Sequence, residues 1–138
     1  MIASSRSRRR VGGFTLIELL VALVIMVILT ALAIPAYMQY VRKANRADVK
    51  AIMMETAQFM ERYYTTNKTY AAAAVLTAVS PKGASGTAVK YNLDFSVTPT
   101  ATAYTMRAIP ANSQVSDTCG TLTLSNTGAQ TAATANCW

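Results

Sequence analysis

The stretch Arg8–Tyr37, "RRRVGGFTLIELLVALVIMVILTALAIPAY", decides how the rest of the chain is read. Three arginines run into Gly12-Gly13, and a long apolar run follows. From Phe14 to Val41 the only charge is Glu18. That run is 28 residues long, and a helix needs about 20 to cross the hydrocarbon core of a bilayer. Residues 14–41 therefore read as a transmembrane helix, and the remainder must supply any soluble core. A carboxylate costs about 2.5–3.5 kcal/mol at a bilayer centre, less near the edge, and commonly marks function. Glu18 lies in the first turn of this run, just behind two glycines, and both features need a reason.

The chain has 138 residues, enough for one modest domain beyond the apolar run. Its formal net charge of +7 rests largely on Arg6, Arg8, Arg9 and Arg10, all ahead of Gly13. Without that leader the excess of basic residues falls to about +3, a weak argument for a nucleic-acid surface. Arg42, Lys43, Arg46 and Lys50 follow the apolar run closely and read as a flank near lipid headgroups. There is no histidine, and the two cysteines, Cys119 and Cys137, are too few for a structural zinc site and are not a CxxC pair. Near the end of an exported chain they are expected to pair with each other, a link worth roughly 3 kcal/mol on the chain-entropy model. Two free thiols are the alternative.

Beyond Pro35, where a helix should kink or loosen, a helical pattern resumes and becomes amphipathic. Val49, Ile52, Met53, Thr56, Phe59, Met60 and Tyr63 recur at three- and four-residue steps and predict a core-facing stripe. This helix is expected to fade near Thr65–Asn67. Residues 68–88 read as a connecting loop, with a short helix over Tyr70–Val79. The period then changes to two. In "KYNLDFSV" the residues Tyr91, Leu93, Phe95 and Val97 share one face; "TAYTMRAI" and "GTLTLS" alternate likewise. Three short strands in an antiparallel sheet, with one apolar face covered by the amphipathic half-helix, give an α+β fold.

Several readings of the opening stretch compete. A secretory signal, with "ALA" at Ala31–Ala33 as its cleavage site, accounts for the arginines and the apolar run. So do a twin-arginine signal at Ser7-Arg8-Arg9 and a plain anchor. None accounts for Glu18 or for Gly12-Gly13. Cleavage between Gly13 and Phe14 accounts for both. It creates a free amine on an apolar residue with Glu18 one helical turn inside. Between staggered neighbouring helices this pair would set axial register, since wrong registers would strand both charges in an apolar core.

"GFTLIELLVALVIMVILTALAIPAY" resembles the N-terminus of type IV pilins. "FMERYYTTNKTYA" and "CGTLTLSNTGAQTAATANCW" are similar to the PilE-like group of type IVa pilins, so the resemblance runs the length of the chain. It implies the pilin fold, a long N-terminal helix whose second half packs on an antiparallel sheet. It implies a basic leader over 1–13, a transmembrane and filament-core helix over 14–41 and a globular domain over 42–138. Gly13 would precede the bond cut by a prepilin peptidase, which would also methylate Phe14. Glu18 matches the assembly glutamate, Pro35 the helix-kinking proline, and Cys119 and Cys137 the pair bounding the C-terminal disulfide loop. The implied partners are other pilin subunits, the peptidase and an assembly platform in the inner membrane. The implied course is single-pass storage there, with the C-terminus periplasmic, then an extracellular filament associated with adhesion and twitching motility.

Catalysis is not expected, nor a cofactor or metal. No nucleophile–base pair is evident, and Glu55, Glu61, Asp94 and Asp117 have no spacing that argues for a site. Asp117, two residues before Cys119, reads as a loop-capping aspartate. Lys82, Lys90 and Arg107 are scattered charges and support DNA contact only weakly. The functional expectation is a structural pilus subunit, a minor pilin. The alternatives are a major pilin, a pseudopilin of a type II secretion or DNA-uptake machine, and a pilin whose main work is adhesion or DNA capture.

Overall fold

A computed structural model describes residues 13–138. Residues 1–12, which hold Arg6, Arg8, Arg9, Arg10 and Gly12 of the leader expected over 1–13, lie outside the described residues. Helix α1 spans Leu16–Asn67, with Pro35 inside it. Its contacts divide the chain between Met38 and Gln39, and the two units are taken in turn.

In the first unit, α1 carries apolar side chains on all sides, and every residue from Phe14 to Met38 is exposed. A helix that is hydrophobic all round belongs inside a protein or a membrane. It is long and apolar enough to cross one.

The second unit is built on a period of 3.6 meeting a period of two. Val49, Ile52, Met53, Thr56 and Met60 of α1 are buried, with Phe59 and Tyr63 packed at the margin of the same core. The predicted stripe is thus the buried one, and α1 ends at Asn67 as expected. Five antiparallel strands follow in chain order: β1 (Val79–Ser80), β2 (Tyr91–Phe95), β3 (Thr105–Pro110), β4 (Leu122–Ser125) and β5 (Gln130–Thr131). Leu93 pairs with Ala108, and Ala108 with Leu122, so the inward residues of the three longer strands lie in rows across the sheet. Tyr91, Leu93, Met106, Ala108, Leu122 and Leu124 are buried and join the α1 stripe in one core.

Three expectations need correction. The sheet has five strands rather than three, because β1 and β5 are two residues each and carry no readable alternation. No helix forms over Tyr70–Val79. Tyr70 is buried, its N–H bonds to the carbonyl of Ala101, and Ala72 has φ +67°, so tertiary contacts override the helix propensity of four alanines. Val97 does not share the core face. The strand stops at Phe95, a turn closed by Thr100 and Ala103 follows, and Val97 is 72% exposed.

Candidate functional site

Two regions carry the residues singled out in the sequence. The first is the start of α1. Thr15 caps the helix: the Glu18 N–H donates to its carbonyl at 3.1 Å and to its Oγ1 at 3.3 Å. Thr-Leu-Ile-Glu is therefore the S/T-x-x-E arrangement that opens helices, and a carboxylate in the first turn also favours the helix dipole. That local role was not expected for Glu18, although the four-residue spacing is legible in the sequence. Phe14 is 78% exposed, and a side chain built at Gly13 would meet nothing within 4 Å. Gly13, Phe14 and Glu18 thus lie together on an open surface. Glu18 forms no ion pair among the described residues.

The second region joins α1 to the C-terminal loop. The Cys119–Cys137 disulfide is formed, and among the described residues no cysteine is free. Gly120 beside it has φ +56°, which favours glycine, and a Cβ there would sit tightly against Ala133 Cβ at 3.2 Å. The Ala133 N–H donates to the Cys119 carbonyl at 3.0 Å, and Trp138 Nε1 donates to the Thr131 carbonyl at 2.7 Å. These bonds fold the tail back on itself.

Asp117 is the hub of a polar cluster beneath that loop. Its carboxylate accepts from the Cys119 N–H at 3.2 Å, which is the capping role expected of it. It also accepts from Arg46 Nη1 at 2.6 Å, from Gln114 Nε2 at 2.8 Å and from the Tyr91 hydroxyl at 3.3 Å. Gln114 is fully buried, bonds back to the Arg42 carbonyl and accepts from Asn45 Nδ2. Lys50 Nζ donates to the Cys137 carbonyl at 3.2 Å. Burial pushes the Tyr91 hydroxyl up to about 12; Gln114 opposes the shift and the Asp117 charge adds to it.

This cluster corrects the reading of Arg42, Lys43, Arg46 and Lys50 as a uniform headgroup flank. Arg46 and Lys50 bond into the domain, Arg42 reaches Ser116 Oγ at 2.7 Å, and only Lys43 of the four is exposed. The signal was present, since Arg46 stands one helical turn before Val49 and two before Met53 on the buried face. The charges read as scattered also have partners. Arg107 grips Asp94 with two bonds across β2 and β3, Lys82 pairs with Glu55, and Lys90 donates to Ser113 Oγ at 2.9 Å. Sequence reasoning overlooked Asp48, which accepts from the buried Ser80 hydroxyl at 2.5 Å. At the far end of the helix, Glu61 accepts from Tyr70 at 3.0 Å and from Tyr104 at 3.4 Å. Burial, then Glu61, raises both hydroxyls.

Residues 35–123 match the family model described as "Type IV minor pilin ComP, DNA uptake sequence receptor", which covers well over half of the chain. The chain belongs to this family of type IV pilins. Residues 8–34 of the pilin match the model described as a prokaryotic N-terminal methylation motif. The type IV wide pilus major component PilA4 of Thermus thermophilus is 37% identical over 62 residues, 45% of this pilin and 47% of that protein. The alignment thus spans about half the length of that curated relative. Among solved structures, a type IV pilin from Shewanella oneidensis is similar with a TM-score of 0.53 and 31% identity, over 70% of this pilin and 97% of that chain. The non-core minor pilin PilV of Neisseria meningitidis gives a TM-score of 0.52 over 70% and 91% of the two chains. At 23% identity that likeness is one of fold alone. Type IV pilins are structural proteins, and both regions described above belong to a chain of that family.

Proposed function

We propose that this pilin is a minor subunit of a type IV pilus, stored in the inner membrane by the apolar part of α1 and assembled into an extracellular filament. The carrying observation is the all-round apolar, wholly exposed helix over 16–38, most of which lies within the match to an N-terminal methylation motif over residues 8–34. Such a surface needs cover, from lipid before assembly and from neighbouring helices after it. Prepilin peptidase cuts after Gly13 and methylates Phe14, and Glu18 then faces the new amine of a neighbouring subunit. Pro35 supplies a point of local loosening in the packed helix. The test is the intact mass of the protein from sheared filaments. It should begin at Phe14 with one added methyl. A terminus at Ile34, or absence from sheared filaments with retention in the envelope, would refute the reading and favour a secretory signal or a pseudopilin.

A second reading, a DNA-capturing pilin, is favoured by the description of the family model that spans 35–123. Most cations of the domain already have protein partners, as described above, so the first reading is preferred. A gel shift with double-stranded DNA tests it, and unchanged mobility at domain concentrations well above those of the DNA would dismiss it.

A further inference from the structure

We propose that Tyr64 and Tyr70 form a site of oxidative modification: under one-electron oxidation their rings join covalently, with the Glu61 carboxylate taking the Tyr70 proton. The site lies wholly within the globular unit and uses nothing from the function proposed above. Tyr64 stands near the end of α1 and Tyr70 in the loop that follows. The two rings are stacked, with centroids 4.6 Å apart and planes 28° from parallel. Tyr70 is buried and Tyr64 half-buried, so one ring of the stack reaches the surface, where an oxidant can take an electron.

Losing an electron makes a phenol a strong acid, so the loss is easiest where a base already waits on the hydroxyl. The Tyr70 hydroxyl lies 3.0 Å from both oxygens of Glu61, within the reach of a general base. Glu61 forms no ion pair among the described residues, so taking a proton there breaks no salt bridge. Burial, then Glu61, raises the Tyr70 hydroxyl, and the phenol keeps its proton until its electron leaves. The other tyrosines of the core lack one part each. Tyr91 donates to Asp117 at 3.3 Å, but that carboxylate is bonded to Arg46, and a proton would disrupt a buried pair. Tyr63 donates to the Ala71 carbonyl, which is no base. Tyr104 reaches Glu61 at 3.4 Å but meets Tyr70 edge-on, at 75°, which leaves Tyr64 as the ring laid on Tyr70.

The oxidant is hydrogen peroxide acting through a haem peroxidase. Each ring gives one electron to the peroxidase. The Tyr70 proton passes to Glu61 and then to water, and the Tyr64 proton passes to water directly. The two radicals form a carbon–carbon bond between ring positions next to the hydroxyls. The hydrogen on each of those carbons then moves to the oxygen and restores the phenol. In sum, one peroxide is reduced to two waters, and the protein loses two hydrogens.

The test treats the full chain, in detergent, with a haem peroxidase and limiting hydrogen peroxide. Dityrosine fluorescence and peptide mapping are read. Cleavage after Arg62, Lys68 and Lys82 separates Tyr63–Lys68 from Thr69–Lys82. The linkage keeps these two peptides joined, lighter than their sum by two hydrogens, and the inference expects that product as the main one. Tyr64→Phe and Tyr70→Phe should each abolish it, and Tyr104→Phe should leave it in place. Glu61→Gln keeps an acceptor oxygen without its basicity and should slow the linkage about a hundredfold, the low end of what a positioned base supplies. Thermal unfolding of each variant is measured alongside, and the peptide map of the unsubstituted chain decides the site without any variant. A linkage that survives Tyr64→Phe belongs to Tyr63 and overturns the inference. So does a parental rate in folded Glu61→Gln. Linkage between chains through the exposed Tyr37 or Tyr40, or methionine sulfoxide with no linked tyrosine, also overturns it. The pilus reading stands in every case, since it uses none of these residues.

Discussion

Asp117 shows how much one side chain holds. Its carboxylate is nearly inaccessible and takes bonds from the helix, the sheet and the disulfide loop. Removing Arg46 leaves it charged and short of its counter-ion, the costly way to break a buried pair. Arg46→Met should lower domain stability by about 3 kcal/mol, read from the denaturant midpoint at constant slope. Thr56 offers the opposite case. Its buried hydroxyl has no hydrogen-bond partner, so Thr56→Val should raise stability by about 1 kcal/mol in the same assay. The tyrosines predict a response to alkali. The folded domain holds Tyr91 near 12, and Tyr70 and Tyr104 above their ordinary value, against roughly 10 in the unfolded chain. For a raised pKa the stabilisation is complete below the unfolded value and is lost as pH climbs toward the folded one. Stability should hold up to about pH 10 and fall between pH 10 and 12. In a spectrophotometric titration these three of the seven tyrosines should ionise last, together with unfolding.

Among the elements, α1 and the three longer strands were legible because burial forces a period on them: Val49, Ile52, Met53, Met60 on one side, Leu93, Met106, Leu122 on the other. Elements that bury no row of side chains left no such trace. The strands β1 and β5 are too short for a period, and the alanines after Tyr70 favour a helix that the burial of Tyr70 forbids. The polar partners were hidden for a different reason. Arg46 and Asp117 are 71 residues apart and Ser80 and Asp48 are 32 apart, and side-chain pairs at such separations leave no local pattern. Glu18 was legible as an anomaly, and its capping by Thr15 only needed the spacing to be read. The disulfide loop gives the prediction at this scale. It encloses a tail with almost no core of its own, so Cys119→Ser should cost about 2–5 kcal/mol and loosen β5 before the longer strands, measurable by amide exchange.

At the scale of the whole molecule, an all-round apolar helix and a domain with its own core belong to one chain, and the proposed assembly would bury the first while leaving the second folded. The Glu18 carboxylate offers the test. Glu18→Gln keeps size and the helical start, so membrane levels and cleavage after Gly13 should match the parent. Incorporation into sheared filaments should fall tenfold or more, since an unpaired amine in an apolar core costs about 3–5 kcal/mol. Equal incorporation would reduce Glu18 to its helix-opening role.

The attachment of the tail to α1 has a mechanical side. Arg46 holds the Cys119 end of the disulfide loop through Asp117, and Lys50 holds the Cys137 end. The two grips are one helical turn apart, about 6 Å along the axis. Tension drawn along this part of the helix therefore loads both in shear, side by side, rather than peeling the tail from its free end. The covalent link between the two ends then shares the load with β4 and the sheet behind it. A pulling experiment on the domain should show one high rupture event for the unaltered chain, and a stepwise, weaker release when Arg46 and Lys50 are both replaced.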